Sequence, residues 1–266
     1  IGAIGFNPAV DAKLLEYVPP VVKFLQQDKS LWRFTSFDPD GHKVFNANVG
    51  WYYDFQDVRG YDSIILKQYA QYMQVLDKQD EFQFNRVAPL RTYGGLDSPL
   101  LDLLNVKYVF TEKELPIQSP KYKLVYDAEV KVYENLGVLP RAFTMPIGCT
   151  TVAADPLAAL KEHDPRTTVI VEKELDSRLR GNDVTQGCGL NAATIVDYSN
   201  NDVTITAQTD QASWLVLADT YFTGWQAFRV QADQSETEVP IYRAYGNFRA
   251  VELAAPRPRP VDRRLE

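Results

Sequence analysis

The stretch 213–227, Ser-Trp-Leu-Val-Leu-Ala-Asp-Thr-Tyr-Phe-Thr-Gly-Trp-Gln-Ala, constrains the fold of this chain more than any other. Trp214, Leu215, Val216 and Leu217 form a short continuous apolar run, which reads as a core strand. Gly224 then lets the backbone turn between bulky aromatic residues, so the strand runs into a tight corner ending at Trp225. A Trp placed after a glycine at a strand start predicts a core plug, with Tyr221 the more exposed of the two rings.

Around this stretch the pattern is one of strands. Segments 192–198, 203–209, 214–217, 225–230, 238–242 and 248–253 succeed one another with turn residues between them, which predicts an antiparallel β-sandwich of jelly-roll type. The earlier part mixes helix and strand. Apolar residues fall near helical spacing across 11–27 around Pro19-Pro20, and 31–37 alternates as a strand does. Ile65, Tyr69, Tyr72, Met73 and Leu76 lie at i, i+4, i+7, i+8 and i+11, an amphipathic helix with Asp62 or Ser63 as its N-cap and Gly60 at positive φ before it. Ser98-Pro99 opens a short helix that Asn105 closes before a strand at 107–111. Segments 122–126 and 129–134 form a hairpin around Asp127-Ala128, 141–147 and 167–172 read as strands, and Asp155-Pro156 starts another short helix. The expected class is therefore α+β. A mixed α/β region occupies 1–173, an inserted polar loop 174–191, a jelly-roll-like β-sandwich 192–255 and a tail 256–266.

Composition narrows the function. The 266 residues are 45% hydrophobic and 12% aromatic, enough for a sizeable core, and 28 basic against 35 acidic residues give a net charge of −7. The basic residues are scattered rather than striped, so nucleic acid is not an expected partner. No run approaches the roughly 18 apolar residues of a membrane span. Cys149 and Cys188 are too few for a disulfide scaffold and lack metal-ligand spacing, and by themselves they do not reveal the compartment.

Five blocks carry a resemblance. Arg59-Gly60-Tyr61-Asp62-Ser63, the run from Pro99 through Asn105 to Val109, Tyr133-Glu134-Asn135, Leu139-Pro140-Arg141-Ala142-Phe143 and the Gly224-Trp225 corner occur in one order. Together they resemble the soluble part of the YfhO-type bacterial membrane proteins, in which Tyr-(Tyr/Phe)-Pro-Gly-Trp follows a strand ending in Ser or Asp. Thr223 stands here where that family usually has proline. The family is related to multi-pass glycosyltransferases that use lipid-linked sugars. The resemblance implies a domain at the cell membrane, facing the extracytoplasmic side, with its own transmembrane region as partner and a glycan or lipid-linked sugar as possible ligand. It also implies that the chain is a piece of a longer protein; Leu265 and Glu266, by themselves, read as an expression-vector scar. In such an oxidising location a Cys149–Cys188 bridge is chemically allowed, without being specified. Two segments depart from the family. The polar run 175–183 resembles a repeat element found within unrelated reading frames, and reads as an inserted, solvated loop. The Pro/Arg alternation of 254–264 replaces the usual last strand, leaving a sheet edge exposed.

The acidic cluster Asp54, Asp57 and Asp62, beside Tyr52, Tyr53 and Tyr61, suits sugar chemistry, since glycosyl transfer and hydrolysis use carboxylates beside aromatic platforms. The packing reading takes precedence: Asp62 as helix cap, Asp54 and Asp57 as turn residues, and half-buried tyrosines. Arg59 and Arg141 suit a phosphate clamp, or equally salt bridges and bonds to buried carbonyls. Asp219, Tyr221 and Trp225 complete the candidate glycan-binding set. His42 and His163 lack partners at motif spacing, and there is no nucleophile elbow, P-loop or Gly-x-Gly-x-x-Gly. No catalytic residue, metal or cofactor is assigned. In related transferases the catalytic acids lie on loops attached to membrane helices, so this chain is expected to support acceptor binding or scaffolding rather than turnover. The alternatives are a stand-alone carbohydrate-binding module and, third, a hydrolase built on the acidic cluster.

Overall fold

A computed structural model describes residues 11, 13, 16–42, 44–172, 187–231 and 233–255. The polar run 175–183 and all of the tail beyond 255 lie outside the described residues. Helices are short: α1 (Pro20–Leu25), α2 (Lys67–Leu76), α3 (Tyr93–Asp97), α4 (Pro99–Leu103) and α5 (Pro156–Ala159). Local chemistry accounts for several of their starts. Thr92, Ser98 and Asp155 each accept a backbone N–H at the head of α3, α4 and α5, the last two followed by proline in the first turn. The long amphipathic stripe forms α2 as its spacing predicts, burying Tyr72, Met73 and Leu76. Its cap differs from expectation. The helix begins after Leu66 without a side-chain cap, because the Asp62 carboxylate accepts from the N–H of Ile64 in a turn upstream.

Strands outweigh helices, and the class is α+β. The first five strands, β1 (Arg33–Ser36), β2 (Gln56–Asp57), β3 (Val106–Thr111), β4 (Tyr122–Asp127) and β5 (Lys131–Asn135), make a sheet in the order β2-β1-β3-β5-β4. β1 runs parallel to both β2 and β3, whereas β3, β5 and β4 are antiparallel. Its side chains alternate between two cores, as a sheet buried on both faces requires. Tyr108, Phe110 and Val132 join α1, Trp32, Phe34 and Phe55 on one face, while Val109 and Tyr133 join α2 and α4 on the other.

Eleven further strands follow: β6 (Ala142–Pro146), β7 (Thr150–Val152), β8 (Val169–Val171), β9 (Asn191–Ala192), β10 (Thr194–Tyr198), β11 (Val203–Thr206), β12 (Ser213–Thr220), β13 (Ala227–Val230), β14 (Glu236–Val239), β15 (Tyr242–Ala244) and β16 (Phe248–Leu253). Seven of them form one sheet in the order β7-β8-β15-β16-β12-β6-β9, and β10–β11 and β13–β14 are separate hairpins. The boundary expected at 173 therefore does not divide the β-structure into two units. β6, β7 and β8 precede it, yet they share a sheet with β12, β15 and β16. The core strand β12 finds its neighbours in β16 and in the much earlier β6. Trp214 on β12 is fully buried, its Nε1–H donating to Thr150 Oγ1 at 2.8 Å.

Cys149 and Cys188 are paired, with Cα atoms 5.7 Å apart, closing a 39-residue separation. The bridge ties the chain beyond the polar run to the turn between β6 and β7. Removing 176–189 would thus delete a cross-link along with a loop, because Cys188 lies within that segment. Unreduced protein is expected to show no free thiol. Reduction should lower stability by about 2–4 kcal/mol, the range for a bridge closing a loop of this length. Thiol titration and paired urea melts with and without reductant check both. Gly60 is also not at positive φ, and a Cβ there would meet only Asn48 Oδ1 at 3.8 Å. The left-handed residues near the turn are Asn48 and Asp54 instead.

Candidate functional site

Two features lie together where β1 meets the seven-stranded sheet. The first is a cluster of guanidiniums around Asp219. A register shift in β12 between Leu217 and Thr220 interrupts its pairing with β16 at this position, and such bulges re-aim side chains. Arg33 Nη2 donates to Asp219 Oδ1 at 2.6 Å, Arg141 Nη1 to the same oxygen at 2.8 Å, and Arg249 Nη2 to Oδ2 at 3.0 Å. The Tyr198 hydroxyl also donates to Oδ2 at 3.0 Å. The cluster fastens the sheets together. Arg33 of β1 reaches the Ala218 carbonyl, and Arg141 reaches Gln56 Oε1 of β2 at 2.6 Å and Asn105 Oδ1 at 3.1 Å.

Trp225 belongs to this cluster and not to the core. It is half-buried, with the Arg249 guanidinium 4.0 Å from its ring centroid, a cation–π stack. The plug of the segment is Trp214. Tyr221 is half-buried as well; its N–H donates to the Asn247 carbonyl and its own carbonyl accepts from Gln68 Nε2 of α2.

The second feature is a cleft of about 300 Å³. Its rim carries Trp51, 70% exposed, and Tyr61, 57% exposed, together with Asp62, Asn48 and the exposed Ile64. Half-buried Arg33 and Thr220 and buried Leu104 and Phe248 also line it. Asn48 fixes the rim: Nδ2 donates to the Tyr61 carbonyl at 2.7 Å and Oδ1 accepts from the Tyr61 N–H at 3.1 Å. The tyrosines expected to be half-buried divide. Tyr53 packs against the α1 core, whereas Tyr61 and Tyr52 are exposed.

The structure distributes the sequence candidates unevenly. Asp57, Arg59 and Tyr61 line the cleft, Arg141 and Asp219 belong to the cluster, and Asp54 is exposed at the end of the 49–53 turn outside the cleft lining. Asp57 and Arg59 are fully engaged with each other. Arg59 Nε and Nη2 donate to the two Asp57 oxygens at 3.0 and 2.7 Å, Nη1 donates to the Phe45 carbonyl, and both side chains are buried. Arg59 and Arg141 therefore do not form a common clamp. Trp51, Arg33, Arg249 and Tyr198 are the members that sequence reasoning missed. A usable signal existed for two of them, since Arg33 and Arg249 interrupt otherwise apolar strands, where a charge requires a partner. His42 also has a partner, its Nδ1 lying 3.1 Å from Glu112 Oε2, and that bond raises the imidazole pKa.

Electrostatics separate the two buried aspartates. Burial alone would raise Asp219, but Arg33, Arg141 and Arg249 outweigh it and hold the carboxyl below its ordinary value. At Asp57 burial wins over the single Arg59 and pushes the pKa up. Asp28 resembles Asp219: burial raises it, but bonds from Lys107, Ser30 and Tyr108 bring it to about 2. A carboxylate with a depressed folded pKa stabilises the fold above its unfolded value and loses that contribution as pH falls through the folded one. Asp28 should therefore cede stability as pH falls from 3.8 to about 2, Asp219 should do so as pH falls below its ordinary value, and the raised Asp57 works in the opposite sense. Urea melts across that range check this. An unchanged midpoint in Asp28→Asn relative to the parent, at every pH, would remove Asp28 from the account.

Among the described residues no group of three His, Cys, Asp or Glu could hold a metal ion, and no helix is long and apolar enough to cross a membrane. Comparison of the chain with protein-family models, with curated proteins and with solved structures found no match.

Proposed function

We propose that this chain is the extracytoplasmic, glycan-binding domain of a multi-pass YfhO-like membrane protein, holding an acceptor or lipid-linked sugar for transfer carried out at the membrane. The observation that carries the binding role is the cleft rim, where the exposed rings of Trp51 and Tyr61, the latter with the Arg86 guanidinium 5.4 Å from its centroid, stand beside Asn48 and Asp62. Apolar ring faces flanked by amide and carboxylate groups match the alternating apolar and hydroxylated faces of a sugar. The Cys149–Cys188 bridge supports the compartment, since structural disulfides persist in oxidising surroundings. The jelly-roll-like sandwich belongs to the same reading, as a description of how the strands after 192 stack.

Binding without turnover is the natural assignment. Asp57 is occupied by Arg59, and Asp54 lies outside the cleft lining, so the cleft does not offer the two facing carboxylates of a glycosidase. A glycan array probed with the chain, followed by calorimetry on the hits, tests the proposal. Trp51→Ala should abolish binding while leaving the melting temperature near that of the parent, because the ring is largely exposed. Retained glycan binding in Trp51→Ala, or no binding to any glycan, would sink the assignment.

A further inference from the structure

We infer that the cleft selects anionic saccharides, with Arg33 of its lining receiving a carboxylate or phosphate while a sugar ring stacks on Trp51. The inference rests on the glycan-binding reading and specifies its ligand. Its basis is a charge imbalance. Among the described residues Arg33, Arg141 and Arg249 share Asp219 as their one carboxylate partner, and none of these four side chains is more than 16% exposed. Their other partners, the Leu104 and Ala218 carbonyls, Gln56, Asn105 and Tyr198, are neutral.

The two carboxylates of the cleft lining do not cancel this excess. Asp57 is neutralised by Arg59, and Asp62 is exposed on the rim, where water screens it and its Oδ1 accepts from the Ile64 N–H. Donors also outnumber acceptors. The buried Nε–H of Arg249 has no acceptor, and Arg33 uses three hydrogen bonds, whereas a guanidinium offers about five N–H donors. Burial and the neighbouring Arg33 bring Arg141 down to about 10 in spite of Asp219, the direction an oversupply of positive charge produces. Of the three arginines only Arg33 lines the cleft. A planar guanidinium with unused donors suits the paired oxygens of a carboxylate or phosphate. Because the whole chain carries −7, attraction of anions is a property of this spot and not of the surface at large.

Calorimetry with three probes tests the inference: a uronic-acid trisaccharide, a sugar 1-phosphate and the neutral trisaccharide of the same linkage. At least one acidic probe should bind about tenfold more tightly than the neutral one, with the margin shrinking as salt rises from about 50 to 300 mM. Preference for the uronate or for the phosphate identifies which group Arg33 receives. In Arg33→Gln the ratio of acidic to neutral affinity should fall to about one. Equal binding of charged and neutral probes overturns the anion preference and leaves the glycan reading intact; no binding of any probe overturns both. Should Arg33→Gln not fold, the guanidinium NMR signal of Arg33 in the unaltered chain decides. It should shift on titration with the tighter acidic probe, and a signal that stays fixed at saturation overturns the proposal.

Discussion

Replacing Asp219 by alanine is expected to cost on the order of 3–5 kcal/mol, because it strands three guanidiniums at a buried seam. The carboxylate accepts from Arg33, Arg141, Arg249 and Tyr198 at once, and Arg33 and Arg141 also join the five-stranded sheet to the seven-stranded one. Losing the acceptor leaves donors that water cannot reach freely. Arg249→Met should be milder, since it removes one donor whose Nε–H already lacks a partner and leaves two arginines on Asp219. Equilibrium urea unfolding monitored by tryptophan fluorescence measures both. A cost for Asp219→Ala within the roughly 0.5 kcal/mol typical of surface changes would show that the seam is solvated.

Trp214→Ala should be comparably severe, about 3–5 kcal/mol, since it deletes a large buried ring and leaves a cavity. The ring packs edge-on against Tyr242 at 5.1 Å, and its N–H is the partner of Thr150 Oγ1. Trp225→Ala is the informative contrast. Its loss removes a half-exposed stack on Arg249, worth roughly 1 kcal/mol. Unfolding midpoints that fall equally for the two variants would return Trp225 to the core.

The difference between these tryptophans shows what a sequence can specify. Trp214 opens the apolar run continued by Leu215, Val216 and Leu217, so burial follows from local pattern. Trp225 follows a glycine and precedes Gln226, and what its ring meets depends on Arg249, which reaches it from a neighbouring strand. The same division runs through the fold. The β4–β5 hairpin and the starts of α4 and α5 were legible, because a turn, a proline and a capping oxygen act over a few residues. Sheet order was not, since nothing local tells β6 that its partner β12 lies beyond the polar run. Within the site, Asp57 and Tyr61 were legible as an acid beside an aromatic. The Arg33–Asp219 contact spans 186 positions, and no spacing rule reaches that far.

The interleaved order of the seven-stranded sheet bears on how the protein is made. β6 lies between β12 and β9, and β8 pairs with β15, so the strands synthesised before residue 173 wait for partners near the other end of the chain. A nascent chain can close the β4–β5 hairpin early, but the sheet has no complete edge-to-edge order until β16, ending at Leu253, has left the ribosome. Until β12 has emerged, β6, whose five residues are all buried in the finished fold, lacks its long partner. Truncation at any point before β16 should consequently yield an aggregating chain instead of a smaller folded domain, and holdase chaperones should be retained on the nascent protein until β16 emerges.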